Sequence, residues 1–242
     1  MSAASTTSRA APQDARPAAI ELTDVIRVFR EVDVETVALR GVSLRIGAGE
    51  LVAIMGRSGS GKSTLLHLIA GSDRPTAGRV EVEGVDLGRA EEAERARIRG
   101  ARVGIVFQRE NLVPFLTVRE NIDLITRLAG RTLDHGAIDD LLRRVGLDAR
   151  ADHRPSQLSG GEQQRAALAA VVATRAPIVL GDEITGELDT ANAGLLLDLL
   201  LDLHAAEGIT VVLATHDPAV AARAGRVVQL RDGRIVEDGR PS

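Results

Sequence analysis

Residues 56–64, GRSGSGKST, constrain the fold of this chain more than any other segment. They follow the apolar run 51–55, which predicts a strand, and they open KSTLLHLIAG, whose helical spacing of leucines predicts a helix that stops at Gly71. Glycines permit a tight backbone wrap, and the N–H groups at a helix N-terminus favour an anion. The order strand, glycine loop, helix therefore predicts a phosphate-binding loop in an α/β fold.

The side chains of this loop suit a nucleoside triphosphate. Backbone N–H groups would hold the α- and β-phosphates, Lys62 would reach the β- and γ-oxygens, and the Ser63 hydroxyl would take one Mg²⁺ position. The residues predicted to bind nucleotide here are Gly56, Arg57, Ser58, Gly59, Ser60, Gly61, Lys62, Ser63 and Thr64. A surface turn rich in glycine and serine is the alternative, and the flanking strand and helix argue against it.

A second apolar run, 178–180, leads into the acids Asp182 and Glu183. Carboxylates at the C-terminal edge of a buried strand face the crevice where ligands bind in open α/β sheets. Asp182 would hold Mg²⁺ through water, and Glu183 is placed to accept a proton from the attacking water. For the pair alone, an acidic turn after a core strand would be the simpler interpretation, and the phosphate loop makes it the weaker one.

The octet LSGGEQQR, residues 158–165, precedes the apolar helical segment AALAAVVA. Serine and two glycines at a helix start leave free N–H donors, which form a second anion site or merely a helix cap. The octet also closely matches the LSGGQ signature of ABC ATPases. With it, the chain from about residue 20 to 240 resembles the nucleotide-binding subunit of an ABC transporter.

The resemblance assigns roles to residues that would carry little weight alone. Phe29 corresponds to an aromatic residue that stacks on adenine, Gln108 to a glutamine that senses Mg²⁺ and the γ-phosphate, and His216 to a histidine near the γ-phosphate. Taken singly, a strand-end histidine is more often a capped or solvated residue. The resemblance implies catalytic roles for Glu183, His216 and Gln108, metal binding by Ser63, Gln108 and Asp182, and nucleotide contacts from Phe29, Ser159, Gly160, Gly161 and Asp189.

It also implies the fold class, cofactors and partners. We expect an α/β P-loop NTPase core of the ABC ATPase type, with an antiparallel β subdomain and a helical signature subdomain at about 109–165. The cofactors would be ATP and Mg²⁺. Two copies would form a homodimer in which the signature loop of one covers the ATP of the other, and closure would drive an integral-membrane permease. The cassette would then be cytoplasmic, held on the inner face of the membrane by that permease.

Three phrases, LLHLIAGSDRPTAG, FQRENLVP and PSQLSGG, resemble the group that releases lipoproteins and exports macrolides or antimicrobial peptides. This implies an export or extrusion system whose permease carries an extracytoplasmic domain. The loop after Gln108, including Phe115, would form the docking groove for the permease, unless it is a subdomain surface with one buried Phe. Ile184, Glu187 and Ala170 depart from the proline, asparagine and arginine common at these positions.

The remaining pattern predicts the order of elements. Apolar runs predict strands at 21–29, 42–46, 51–55, 79–85, 103–107, 178–180, 210–214 and 227–230. Helical spacing replaces them over 117–147 and returns over 193–208, and Asp232-Gly233 between two β-like runs predicts a hairpin turn. Residues 1–18 are small, polar and proline-containing and predict a disordered tail before an ATPase domain at 19–242.

Composition narrows the functional classes. A net charge of −4 without a basic run argues against a nucleic-acid partner, and the absence of cysteine excludes disulfides, thiolate metal sites and a cysteine nucleophile. The longest apolar run, 166–173, is far below the roughly 18 residues of a membrane span, so we expect a soluble chain.

A soluble ABC-type ATPase of DNA repair or translation remains the alternative function, although such proteins usually carry tandem cassettes or coiled coils. A P-loop kinase or GTPase would leave LSGGEQQR unexplained.

Overall fold

The computed structural model describes residues 17–31, 34–109 and 111–241. The strands are β1 (Ala18–Glu31), β2 (Val34–Gly47), β3 (Leu51–Met55), β4 (Ala77–Val82), β5 (Val85–Asp86), β6 (Val103–Val106), β7 (Ile178–Asp182), β8 (Thr210–Thr215), β9 (Arg226–Arg231) and β10 (Arg234–Gly239). The helices are α1 (Lys62–Ile69), α2 (Glu92–Ala101), α3 (Val118–Leu128), α4 (His135–Arg144), α5 (Gly160–Ala173), α6 (Thr190–Glu207) and α7 (Pro218–Ala221). Of the predicted tail, residues 1–16 lie outside the described residues, and Ala18 already belongs to β1.

Two sheets organise these elements. A six-stranded sheet has the order β10-β9-β3-β8-β7-β6, parallel except for β10 at its edge, and a four-stranded antiparallel sheet has the order β2-β1-β4-β5. The central parallel strands are covered on both faces, which is why they occur in the sequence as unbroken apolar runs. The predicted α/β fold with an antiparallel β unit is confirmed.

The two faces of the parallel sheet bury two different cores. Successive residues of a strand point to opposite faces, so Leu180 packs with α1 and the antiparallel sheet, whereas its neighbour Val179 packs with α5 and α6. The core around α5 also takes in α3 and α4 of the range where the sequence predicts a helical subdomain. A displacement of α3 or α4 would therefore also shift α5 and the strands at the edge of the parallel sheet.

Several parts of the chain differ from the sequence prediction. Strand β2 begins at Val34 instead of residue 42, and the short helix α7 was not predicted. The single strand expected at 79–85 is a hairpin, because Glu83 and Gly84 adopt positive φ angles of 48° and 80° and reverse the chain between β4 and β5. Helix α2 was not predicted, since its sequence is mostly charged. It buries only Ile98 and the stem of Arg95, which is too little for an apolar pattern.

The N-terminus of α5 is closed by a reciprocal cap. The Ser159 backbone N–H donates to the Glu162 carboxylate at 2.8 Å, and the Glu162 N–H donates to the Ser159 hydroxyl at 3.3 Å. The Ser159 N–H, followed by Arg150 at 3.0 Å, lowers the pKa of Glu162 to about 2. This cap sets the direction in which the signature segment leaves the preceding loop.

The loop before α3 is held by one buried amide. Asn121 is fully buried; its Oδ1 accepts from the Val113 N–H at 2.7 Å, and its Nδ2 donates to the carbonyls of Val113, Leu116 and Thr117. A single side chain thus satisfies backbone groups across the turn that follows the Gln108 segment.

We expect Asn121→Leu to lower the free energy of unfolding by about 2 kcal/mol, because it leaves these backbone groups without partners in a buried place. Urea unfolding followed by circular dichroism measures the loss. Asp123→Ala, which removes an exposed pair with Arg127 on the same helix, should cost about 0.5 kcal/mol or less. Equal losses in both variants would contradict the role given to Asn121.

The cap of α5 predicts a pH dependence. The pKa of Glu162 is lowered in the folded state, so its carboxylate stabilises the fold above about pH 4.5, and this contribution disappears as the pH falls towards about 2. Glu162→Gln should be less stable than the parent chain at pH 7, and the gap should narrow between pH 4.5 and pH 2. Urea unfolding of both chains over a pH series measures it; a gap that stays constant would refute the prediction.

Candidate functional site

The glycine-rich loop lies between β3 and α1 and is held closely on both sides. Gly61 has a φ of 105°, and a Cβ there would lie 2.7 Å from the Ala38 carbonyl of β2. A Cβ on Gly56 would lie 2.4 Å from the Leu230 carbonyl of β9. Only glycine fits at these two positions, so the loop backbone takes one shape. The loop leads directly into the N-terminus of α1, where an anion is favoured.

Lys62 begins α1 and lies beneath this loop. Its side chain is only 5% exposed, and Nζ donates to the Gly56 carbonyl at 2.8 Å and to the Arg57 carbonyl at 3.2 Å. The same Nζ lies 3.2 Å from Oε1 of Glu183. The loop and the acid at the end of β7, 121 positions apart in the chain by numbering (183 − 62), therefore meet at one ammonium group.

Glu183 connects this lysine to His216. Its Oε2 lies 2.6 Å from Nδ1 of His216, whose side chain is 64% exposed. Glu183 has a φ of 51°, a left-handed conformation that a non-glycine residue adopts at a cost and that is concentrated at functional sites. The carboxylate is thus fixed between a buried cation and a ring that faces solvent. A carboxylate held in this way can accept a proton from water.

Two buried oxygen atoms next to this group have no hydrogen-bond partner in the described structure: Oδ1 of Asp182 and Oγ of Ser60. Strand pairing places them at one edge, because Met55 pairs with Thr215 and Asp182 pairs with Ala214 on β8. An unsatisfied buried oxygen is costly, and a hydrated Mg²⁺ ion would satisfy the Asp182 carboxylate. The residues present therefore fit this cation.

Gln108 follows β6 and contacts the turn after Glu183. Its Nε2 donates to Oε1 of Glu187 at 3.3 Å, and Arg109 forms an ion pair with the same carboxylate. From α5, the buried amide of Gln164 donates to the backbone carbonyls of Gln108 and Phe107. In the sequence, Glu187 stands out only as a departure from the family pattern, and no local pattern predicts its contact with Gln108.

The two other departures lie in the interior. Ile184 is buried and its side chain packs beside Gly181, where a Cβ would lie 3.1 Å from the isoleucine Cγ2. Ala170 is fully buried on α5. Neither side chain carries a charge or a hydrogen-bonding group. Both residues can therefore affect this site only through packing.

Ser159, Gly160 and Gly161 lie elsewhere. A Cβ on Gly161 would lie 2.8 Å from Oδ1 of Asn192, and Gly160 lies near Leu188. Among the described residues, no hydrogen bond or ion pair joins these three to residues 56–64. Within one chain the predicted nucleotide contacts therefore form two separate groups.

Asp189 belongs with the second group. Its side chain caps α6 by accepting from the Asn192 N–H at 3.0 Å, and this bond lowers the pKa of Asp189. The Asn192 amide also donates to Asp189 at 2.6 Å and accepts from Arg165 of the signature octet at 3.3 Å. The start of α6 and the start of α5 are thus fastened together.

Phe29 lies near the end of β1 with its side chain 39% exposed. It pairs with Thr36 of β2, two residues from Ala38, which contacts Gly61. At about 3.3 Å per strand residue, the ring lies within reach of a nucleotide held by the loop. The guanidinium carbon of Arg27 lies 4.4 Å from the ring centroid, a contact that no sequence pattern indicates.

Two grooves flank these groups. One, of 650 Å³, is lined by residues 56–60, His216 and the C-terminal hairpin, whose predicted turn donates the Gly233 N–H to the Ser60 carbonyl at 3.0 Å. The other, of 810 Å³, begins at Gln108 and is also lined by residues 111–114, Gly160, Gln163, Glu187 and Leu188 among others. Phe115 is 71% exposed, so the alternative of a buried Phe is wrong. The expectation that Phe115 forms part of the groove is also wrong, because Phe115 is not among the residues that line it.

No helix in the part of the chain that the structure describes is both long enough and apolar enough to cross a membrane.

Comparison with known proteins gives consistent matches. The family model described as ABC transporter matches residues 39–186. The lipoprotein-releasing system ATP-binding protein LolD of Anaeromyxobacter dehalogenans is 47% identical over 223 residues, which cover 91% of this chain and 93% of that protein. The macrolide export ATP-binding/permease protein MacB of Hyphomonas neptunium is 45% identical over 92% of this chain. This chain spans only 35% of the length of that relative.

Solved structures agree with these matches. A dimeric ATP-binding cassette in a post-hydrolysis state, bound to ADP and Pi, superposes with a TM-score of 0.85 at 36% identity, over 92% of this chain and 99% of that chain. The family model covers more than half of the sequence, and the LolD match covers nearly all of it. The resemblance found in the motifs is thereby confirmed, and nothing supports the DNA-repair alternative. The chain belongs to the ABC transporter family, as one of its ATPase cassettes.

Proposed function

We propose that two copies of this chain clamp two ATP molecules between them and that the cycle of closure and hydrolysis drives an export-type permease. One observation carries this proposal: the two helix starts that suit phosphate, at α1 and at α5, are separate within a single chain. Both helix starts present backbone N–H groups of the first turn, which have no partner within the helix. A partner copy supplies the missing half of each site.

The first half-site holds the phosphates. The loop at residues 56–61 and the N-terminus of α1 surround the α- and β-phosphates. When ATP binds, the hydrogen bonds of Lys62 to the Gly56 and Arg57 carbonyls are replaced by bonds to β- and γ-phosphate oxygens. Phe29 provides an apolar face for the base. Ser63, Gln108 and Asp182 would hold Mg²⁺, in keeping with the unsatisfied oxygen of Asp182. The cation would supply positive charge against the phosphate oxygens.

Hydrolysis uses the carboxylate at the end of β7. Glu183 accepts a proton from water as the water oxygen attacks the γ-phosphorus, and the bond to the departing ADP oxygen breaks to give ADP and Pi. His216, 2.6 Å from Glu183, orients that carboxylate and faces the γ-phosphate. The left-handed backbone at Glu183 aims its side chain at Lys62 and so keeps it at the loop.

The second half-site comes from the other copy. Ser159, Gly160 and Gly161 lie at the capped start of α5 and can meet a γ-phosphate presented by a facing molecule. Asp189, fastened to the same helix start through Asn192, lies beside the same interface. The dimeric state of the similar cassette bound to ADP and Pi supports this arrangement.

The permease is the finer part of the proposal. LolD is named for lipoprotein release, and MacB is named for macrolide export and as a permease. We infer an integral-membrane partner with an extracytoplasmic domain, docked from the cytoplasmic side on the 810 Å³ groove beyond Gln108. In that position the groove would couple permease movement to Gln108 and Glu187.

We expect Glu183→Gln to lower kcat for ATP by about 100-fold or more, because the amide cannot accept the proton, while ATP still binds. Without turnover, the ATP-bound dimer should accumulate and be seen by size-exclusion chromatography with light scattering. Glu94→Gln, an exposed change on α2, should behave like the parent chain. A normal hydrolysis rate in Glu183→Gln would refute its assignment as the base.

The shared site is tested by Ser159→Arg, which should reduce hydrolysis about 100-fold although Ser159 is remote from residues 56–64 of its own chain. Ser156→Arg, three residues earlier and also exposed, is the matched control. Mixing Ser159→Arg with the equally inactive Lys62→Ala should restore part of the activity, since a mixed dimer contains one intact composite site. No recovery on mixing, with mixed dimers present, would exclude sites built from two chains.

A further inference from the structure

We propose that Arg27 is a positioning residue for the nucleotide base: it holds the ring of Phe29 in place relative to the glycine-rich loop and leaves one ring face for the base. This inference rests on the proposed function, in which Phe29 is the surface that receives the base. It concerns how that surface is held and which part of the nucleotide it affects.

The contact between the two side chains is well defined. The Arg27 guanidinium carbon lies 4.4 Å from the centre of the Phe29 ring, within the range of a cation–π contact. A planar guanidinium stacks on an aromatic face and covers it. Phe29 keeps 39% of its surface exposed despite this contact. With the guanidinium on one face of the ring, the opposite face is the one that we assign to the base.

Arg27 is itself held rigidly. Its Nε donates to Oδ2 of Asp73 at 2.7 Å, and its Nη1 donates to the Val28 carbonyl at 3.2 Å. Both members of the ion pair are mostly buried, with side chains 22% and 23% exposed. A charge-assisted bond of this kind orients the guanidinium plane. The position of Asp73 thus decides where the guanidinium lies.

Asp73 belongs to the turn that ends the phosphate-loop helix. The backbone N–H groups of Ser72 and Asp73 donate to the His67 carbonyl of α1 at 3.1 and 3.3 Å. Contacts therefore run without a gap from the loop through α1 to Asp73, Arg27 and Phe29. A rigid helix carries the position of the phosphate site to the ring, which sets the distance between the two ends of a bound nucleotide.

The strand that carries Phe29 has other attachments. The Val28 N–H donates to Oγ1 of Thr76 at 2.9 Å, and the Thr76 N–H donates to the Ile26 carbonyl at 2.8 Å. These backbone bonds do not involve the Arg27 side chain. Removing that side chain should therefore release the ring while leaving the end of β1 in place.

If Arg27 acts only through the Phe29 ring, it should affect recognition of the base and not recognition of the phosphates. Loss of Arg27 should weaken ligands that carry a base and leave ligands that consist of phosphate alone unchanged. A general effect on the fold, or a long-range attraction between the arginine charge and phosphates, would weaken both kinds of ligand.

Competition against a fluorescent ATP analogue gives the dissociation constants of ATP and of inorganic tripolyphosphate for the full chain. We expect Arg27→Ala and Asp73→Asn to weaken ATP binding about fivefold, the size of one cation–π contact, and to change tripolyphosphate binding by less than about twofold. Arg27→Lys, which keeps a cation near the ring, should recover part of the ATP affinity. Arg30→Ala, which removes an exposed pair between Arg30, on the same strand as Arg27, and Glu35 of β2, is the control and should change neither constant.

A double-mutant cycle with Phe29→Ala separates this inference from the proposed function. If Arg27 acts through the ring, Arg27→Ala should have no further effect on ATP binding in the Phe29→Ala background. Equal weakening of ATP and tripolyphosphate by Arg27→Ala, or an undiminished effect in that background, would overturn the positioning role. If Phe29→Ala alone left ATP affinity unchanged, the base surface of the proposed function would fail, whereas loss of tripolyphosphate binding in Lys62→Ala would still support the phosphate site.

Discussion

The backbone of the glycine-rich loop passes so close to its neighbours that no side chain could be added at Gly56 or Gly61. Carbonyl groups of β9 and β2 lie 2.4 and 2.7 Å from where a Cβ would be. This contact joins three parts of the molecule, because β2 belongs to the antiparallel sheet, β9 to the parallel sheet, and the loop leads into α1. The direction of the amides, the burial of Lys62 and the reach of Phe29 all depend on it.

The charged groups of the site follow from sheet topology. Parallel strands end at one edge, so the acids after β7, the histidine after β8 and the loop after β3 meet there although they are far apart in the chain. The site retains two costly features. Glu183 has a left-handed backbone, and Asp182 has a buried oxygen without a partner. Such features are kept where binding of a ligand compensates for their energetic cost, and both lie where ATP and its metal are expected.

Much of this could be predicted from sequence because the relevant signals are local. The glycine loop between a strand and a helix, the acids that close an apolar run and the Ser-Gly-Gly cap each depend on residues within about ten positions. Helix α2 could not be predicted, since only Ile98 and the stem of Arg95 are buried in a charged segment. The hairpin at Glu83-Gly84 was also missed, because positive φ at a glutamate leaves no strong local signal.

The sequence by itself determined the family, the α/β class and the chemistry of each motif, because these follow from residue types at short spacing. Tertiary structure alone decided which motifs meet. It placed Lys62 on Glu183, Glu187 on Gln108 and Arg27 on Phe29, and it separated Ser159 from the loop of its own chain. The physical reason is that contacts between residues tens of positions apart depend on strand order and on the direction in which side chains leave each element, which no local pattern records.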